Sequence, residues 1–229
     1  MPETRCILQH HDEQGWMELF TKMGAFWPHD GNPARPHAEL TSGNHSGGFF
    51  NGSKVIEDPE ITRRAMEDLY LKISRVDYMD SNREYWVVGS ALGACSLAHA
   101  MAQAIGCKCA FTEPVIKDEK KVMELKRFEI PSHATAIVVE DVLTTGGTTK
   151  QTIHALETQA ISVFGQIGVL VNRSGESSID GVSYHNRFGV VSLIEKPMPI
   201  WTPEECPLCK QGSKAVRPKG NWLALTAEY

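Results

Sequence analysis

Val138-Val139-Glu140-Asp141-Val142-Leu143-Thr144-Thr145-Gly146-Gly147-Thr148-Thr149 joins three chemically distinct pieces. An apolar strand, Ala136-Ile137-Val138-Val139, leads in. Two adjacent carboxylates, Glu140 and Asp141, stand at its end. A threonine- and glycine-rich turn then opens a helix read as Thr148 to Gln159. Glycines let the backbone approach an anion and turn several N–H groups toward it. The helix N-terminus adds partial positive charge, and threonine hydroxyls add neutral donors. Such a cradle suits a monophosphate. Carboxylates beside a phosphate would repel it, unless they accept hydrogen bonds from sugar hydroxyls or lie near a Mg²⁺ that offsets the charge. A vicinal diol, a monophosphate and a metal-bound pyrophosphate on one ligand would satisfy all three pieces. A P-loop is excluded, because no Gly-x-x-x-x-Gly-Lys-Ser/Thr occurs in the chain.

Outward from this motif, strands and helices alternate. Tyr85 to Val88 reads as a strand, Cys95 to Ile105 as a helix stopped by Gly106, and Cys107 to Thr112 as a strand. Val163 to Val171 reads as one long strand and Val190 to Ile194 as another. Upstream, Asp58-Pro59-Glu60 predicts a helix to about Val76, with Asp58 as its cap and Pro59 as its first residue. Trp16, Leu19, Phe20 and Met23 recur at helical spacing. The expected fold is α/β, a Rossmann-like parallel sheet flanked by helices, with its ligand beyond the carboxyl ends of the strands. The segment after Pro197 shows no period and is expected to wrap over the domain.

The 229 residues suit one α/β domain with appendages. A formal net charge of -5 provides no global attraction for nucleic acid or anionic membrane, so any phosphate site must be built locally. No apolar run approaches a bilayer span, and Met1 to Cys6 lacks the pattern of a secretion leader. A cytoplasmic chain with free thiols is therefore expected, including Cys95 and the rest of the six cysteines.

The strand, acidic pair, threonine-rich turn and helix resemble the signature of the type I phosphoribosyltransferases. Within that family the chain is most similar to orotate phosphoribosyltransferases, in particular a bacterial branch with a Cys-Pro-Leu-Cys tail. Four further segments carry the match: Leu40-Thr41-Ser42-Gly43-Asn44-His45-Ser46 with Phe49-Phe50-Asn51, Gly89 to Gly93, Glu124 to Ile130, and Val171-Asn172-Arg173-Ser174-Gly175. The resemblance implies Mg²⁺-dependent transfer of phosphoribosyl from phosphoribosyl pyrophosphate (PRPP) to orotate, in a homodimer that shares a loop across its interface. It implies a hood and base-binding segment over residues 1–57, a phosphoribosyltransferase core over 58–197, and a tail over 198–229 packed on core or hood. Neither a nucleic-acid nor a membrane partner is expected. The alternatives are a purine-base phosphoribosyltransferase and a non-catalytic regulator that senses PRPP.

The same resemblance assigns site residues. Glu140 and Asp141 would hold the ribose hydroxyls, and Val142, Leu143, Thr144, Thr145, Gly146, Gly147 and Thr148 the 5′-phosphate. Ser90, Ala91 and Leu92 would face the pyrophosphate, or else form an ordinary tight strand-to-helix turn. Arg173 would grip the base's carboxylate bidentately. Thr144 would also touch the base, and Phe49 and Phe50 would either pack against it or belong to the core. Between Pro114 and Phe128, five cations (Lys117, Lys120, Lys121, Lys126 and Arg127) suggest a mobile catalytic loop in which Lys117 and Lys120 stabilise the leaving group; the alternative is a solvated charged hairpin. The chain departs from the family's pattern at Thr41 and Gly93, where lysines are usual, and it lacks the loop's Lys-x-His-Gly. Cys206-Pro207-Leu208-Cys209 has the spacing of half a zinc site. Cys107-x-Cys109 could supply the other half, or simply face the core.

Overall fold

A computed structural model describes residues 10–90, 92–182 and 186–226. The first helix, α1 (Glu13–Lys22), precedes short strands β1 (Phe26–Pro28), β2 (His37–Glu39), β3 (His45–Ser46) and β4 (Gly48–Phe50). Next come α2 (Ser53–Ile56), α3 (Pro59–Val76), β5 (Tyr85–Ser90), α4 (Cys95–Ile105), β6 (Lys108–Lys117) and β7 (Lys120–Glu124). The phosphate-loop unit is β8 (Thr135–Leu143) and α5 (Gly147–Glu157). The chain continues with β9 (Ser162–Val163), β10 (Gln166–Asn172), β11 (Ser178–Asp180), β12 (Arg187–Glu195) and β13 (Ile200–Trp201), and finishes with α6 (Pro207–Lys210), β14 (Ala215–Val216) and α7 (Trp222–Thr226).

The main sheet runs β11-β12-β10-β8-β5-β6-β7, with β9 also pairing β8. Its inner pairings are parallel, while the β11–β12 and β6–β7 edges are antiparallel. From β5 the chain steps to β6 on one side, then returns to β8 on the other. Strand order therefore reverses between β5 and β8, and the crevice at their carboxyl ends is where such sheets bind ligands. Central β8 is buried from Thr135 to Glu140, the near-continuous apolar run expected of a strand covered on both faces. Alternation sends Ile137 and Val139 into the cluster under α3 and α4, and Ala136 and Val138 into the cluster under α5.

Helix α3 begins as expected. Asp58 accepts from Glu60 N at 3.0 Å and Ile61 N at 3.1 Å, with Pro59 in the first turn. Helix α1 packs on the core through fully buried Trp16 and Phe20. Trp16 Nε1 donates to Asp68 on α3 at 2.9 Å.

The structure corrects one strand expected from the sequence. Residues 163–171 do not form one strand. Phe164 N still bonds to Ala136 O at 2.8 Å, but Gly165 breaks the run and β10 starts at Gln166. Apolar continuity through Val163 and Phe164 hid that break. The C-terminal segment, in which the sequence shows no period, carries two short strands: β13 pairs β3 and β14 pairs β2. Together they build a four-stranded sheet, β13-β3-β2-β14, that joins segments distant in sequence, such as Ile200 with Ser46 and Ala215 with His37.

Candidate active site

Strand β8 continues through Glu140 and Asp141 to Leu143, so the two acids lie within the strand rather than after it. Adjacent strand residues point to opposite faces, and the two carboxylates part accordingly. Glu140 turns toward α5, where Thr149 Oγ1 donates to its Oε2 at 3.4 Å and the backbone N of Asp141 donates to its Oε1 at 3.2 Å. Ser90 also hydrogen-bonds this carboxyl. Asp141 turns the other way, toward Gly52 and Gly93, while its Oδ1 accepts from Val142 N at 2.8 Å. Burial, and secondarily the Asp141 charge, holds the Glu140 carboxyl well above the usual carboxylate range.

The turn after β8 leaves donors for an anion. Gly146 caps α5 with φ at 72°, a left-handed conformation that costs glycine little. No side chain caps the helix, so its first N–H groups remain available to a ligand. Thr145, Gly147 and Thr148 are exposed beside them.

Gly93 explains the absence of a side chain at that position. A Cβ there would meet Asp141 Oδ2 inside van der Waals distance, and one at Gly52 would meet the same atom at 2.9 Å. The two glycines thus make the slot that holds the Asp141 carboxylate. Gly93→Ala is expected to force that carboxylate to rotate while leaving the core intact. The expected result is a thermal midpoint close to wild type and a roughly 10–100-fold loss in kcat/KM; unchanged kinetics would contradict the slot.

The remaining candidates separate. Ser90 is fully buried and its Oγ contacts Thr152 Oγ1 at 3.1 Å, so its hydroxyl supports the core and Glu140. Leu92 is exposed, and Ala91 lies outside the described residues. Phe50 is a correction. Its ring is 2 % exposed, centred 4.9 Å from Phe26 and 5.8 Å from Phe20, which makes it core rather than a base-stacking surface. Phe49 faces Trp222, centroid to centroid 5.9 Å. The lysine segment is an antiparallel hairpin of β6 and β7, turning at Asp118 (φ 47°) and Glu119 (φ 61°). Lys117 pairs with Glu124 and Arg127 with Glu113, while Lys120 and Lys121 are exposed.

Arg173 stands just past β10, where its N bonds to Leu143 O at 2.8 Å and places it beside the Thr144 turn. The residue is 3 % exposed. One guanidinium nitrogen, Nη2, donates to Ser46 Oγ at 3.0 Å and to Gly48 O at 3.1 Å. Nε is buried with no partner, and no carboxylate among the described residues pairs with this cation. Burial lowers its pKa to about 10, which still leaves it charged at neutral pH. A buried cation with an unpartnered donor calls for an anion. Ser46 and Gly48 as its supports escaped the sequence reading, because nothing local in sequence links them to residue 173. A neighbouring apolar cleft of about 500 Å³ is walled in part by Gly48, Pro197 and Met198, and none of residues 140–149 lines it.

The geometry agrees with what known proteins show. The phosphoribosyl transferase domain family model matches residues 55–188. The orotate phosphoribosyltransferase of Thermoanaerobacter sp. (strain X514) is 34% identical over 207 residues, covering 88% of this chain and 94% of that protein. That of Desulforamulus reducens is 29% identical over 202 residues, covering 88% and 94%. Among solved structures, orotate phosphoribosyltransferase from Aeropyrum pernix matches in fold with a TM-score of 0.59, at 23% identity, over 78% of this chain and 92% of that one. With the family model spanning more than half the chain, and the acids and the uncapped helix standing where strand order reverses, the chain belongs to the type I phosphoribosyltransferase family.

Proposed function

We propose that this protein transfers the phosphoribosyl group of PRPP to orotate, giving orotidine 5′-phosphate and pyrophosphate. The observation that carries the base assignment is Arg173, a buried guanidinium next to the Thr144 turn with no carboxylate partner among the described residues. An acidic planar base supplies the missing anion in bidentate geometry. Relatives named orotate phosphoribosyltransferase, at up to 34% identity across most of the chain, support the same reading.

The division of labour follows the fold. Residues 58–197 hold PRPP, with the ribose hydroxyls on Glu140 and Asp141 and the 5′-phosphate on the turn from Thr144 to Thr148. The described parts of 1–57 and 198–229 form the base side, where Ser46 and Gly48 hold Arg173. The bond from C1′ to pyrophosphate breaks as the base nitrogen bonds to C1′. Binding orients the two reactants, and backbone donors and cations stabilise the charge that develops on the leaving group. Hard carboxylate oxygens beside the phosphate turn suit Mg²⁺, which would offset pyrophosphate charge. Among the described residues no group of three or more carboxylates converges there, so the metal would be held largely by the substrate. Lys120, exposed on the β6–β7 hairpin, would meet the pyrophosphate of a second copy in a homodimer, and Lys117 would join it only by leaving its pairing with Glu124. No described helix is long and apolar enough to cross a membrane. The setting we propose is the cytoplasm, where the free cysteines stay reduced.

A base panel with Mg²⁺, PRPP and pyrophosphate release as readout tests the assignment. Orotate is expected to turn over at least about 100-fold faster than adenine, hypoxanthine or xanthine. Preference for a purine would move the protein to the purine branch. Tight PRPP binding without turnover on any base would make it a sensor.

A further inference from the structure

Four ligand atoms converge at the junction of the hood sheet and the C-terminal segment. Antiparallel pairing sets Glu39 opposite His45, so His37, two residues before Glu39, lies diagonally from His45 on the same face. The α6 segment lays Cys206 and Cys209 against that face. One ligand atom from each of the four residues lies within 4.8 Å of all the others. His37 and Cys206 are fully buried, and His45 is 8 % exposed. No other group of three or more such residues occurs among the described residues. Cys107 and Cys109 are not part of it: Cys109 Sγ sits 3.9 Å from His99 Nδ1, and both cysteines pack on the main core. Of the two sequence readings of Cys107-x-Cys109, the core-facing one holds, and this pair does not complete the Cys206/Cys209 half site.

Four of the six edges between these atoms have the lengths of a tetrahedral coordination shell. Zinc bonds of about 2.3 Å to sulfur and about 2.0 Å to nitrogen give tetrahedral edges of about 3.3 Å for N···N and about 3.5 Å for N···S. Here His37 Nε2 and His45 Nδ1 are 3.2 Å apart. Cys206 Sγ and Cys209 Sγ each stand 3.5 Å from His37 Nε2, and Cys209 Sγ stands 3.2 Å from His45 Nδ1.

The hydrogen-bond network fixes the tautomer that a metal needs. Ser213 Oγ spends its single proton on Arg35 O at 2.7 Å. Its 2.8 Å contact with His37 Nδ1 therefore requires that nitrogen to be the donor. In a neutral ring, Nε2 then carries a bare lone pair, with three neighbours at 3.2–3.5 Å around it. One in-plane lone pair cannot accept three hydrogen bonds well. A metal ion at the centre takes that lone pair together with those of both thiolates and His45. The Nδ1–H···Oγ bond is the outer support that orients a metal-bound imidazole.

We propose that His37, His45, Cys206 and Cys209 bind one Zn²⁺ that fastens the C-terminal segment to the β2–β3 pair. Two thiolates and two imidazoles in a closed tetrahedron select zinc over Mg²⁺ or Ca²⁺, and four protein ligands leave no position open for catalysis. The fastening also braces the base side, on the reading of Arg173 given above. His45 is followed by Ser46, whose Oγ donates to Pro199 O at 2.8 Å while accepting from Arg173.

The test is metal content, independent of activity. Protein produced with zinc and purified without chelators is expected to hold about one Zn²⁺ per chain, and the Cys206→Ser/Cys209→Ser double variant less than about a tenth of that. Wild type without zinc after reconstitution, or a double variant that keeps it, overturns the proposal. If the double variant does not fold, Co²⁺ titration of wild type decides. Tetrahedral absorption with a thiolate charge-transfer band supports the site, and a spectrum without the thiolate band overturns it. Limited proteolysis checks the fastening. Metal-free protein, with Mg²⁺ restored, should be cut at Lys210 or Lys214 at least about tenfold faster than the zinc form. Equal rates overturn the fastening role while leaving orotate turnover as a separate measurement.

Discussion

Glu140→Gln is expected to raise thermal stability while lowering kcat/KM for PRPP about 100-fold. The two effects share one cause. The Glu140 carboxyl is 7 % exposed and burial raises its pKa, so the fold tolerates its charge poorly. The sign follows from linkage. Below the usual glutamate range, folded and unfolded chains both keep the proton and nothing is lost. As pH rises through the raised folded pKa, the unfolded chain has already released its proton, and stability falls. Gln keeps the shape and can still accept from Asp141 N, so it removes this cost. The stability gap between variant and wild type should therefore open upward from about pH 4.5 and then level off. Function moves the other way. A neutral amide accepts more weakly from a ribose hydroxyl, and a charge-assisted bond is worth about 1.5–3 kcal/mol. Asp141→Asn should lose a similar factor in kcat/KM without the gain in stability. A Glu140→Gln protein no more stable than wild type at pH 8 would refute the strained-carboxyl account.

Much of this arrangement was legible in the sequence because its signals are local. The Asp58-Pro59 start of α3 and the β8–turn–α5 unit each occupy adjacent residues, where capping and glycine chemistry act alone. The acids were recognised, but their opposite directions follow from β8 running on to Leu143. The zinc ligands were half visible. Cys206 and Cys209 lie three apart, yet their partners stand about 170 residues earlier, brought together by the pairings of β13 and β14 with β3 and β2. Two-residue strands leave no period to read. Phe50 shows the reverse case: an aromatic in a matched motif could be a base platform or core, and its packing against Phe20 and Phe26 decides for core.

Arg173→Ala is expected to reduce kcat/KM for orotate about 1000-fold while leaving Mg²⁺-PRPP affinity within about threefold of wild type. The size follows from two charge-assisted bonds to a carboxylate in a dry site, together about 4 kcal/mol, at about 1.36 kcal/mol per decade of rate. The selectivity follows from position. Arg173 is held by Ser46 and Gly48 on the base side, whereas the phosphate turn and the acids belong to β8 and α5. Arg173→Lys should recover little, because a point charge on a flexible stem cannot present the planar fork and cannot serve Ser46, Gly48 and a carboxylate together. Folding is not expected to suffer in proportion, since truncation removes a buried cation that has no carboxylate partner in the free protein. Isothermal titration with PRPP beside steady-state kinetics with orotate separates the two halves of the site. Equal loss of both would place Arg173 in the scaffold, and undiminished orotate turnover would remove it from base recognition.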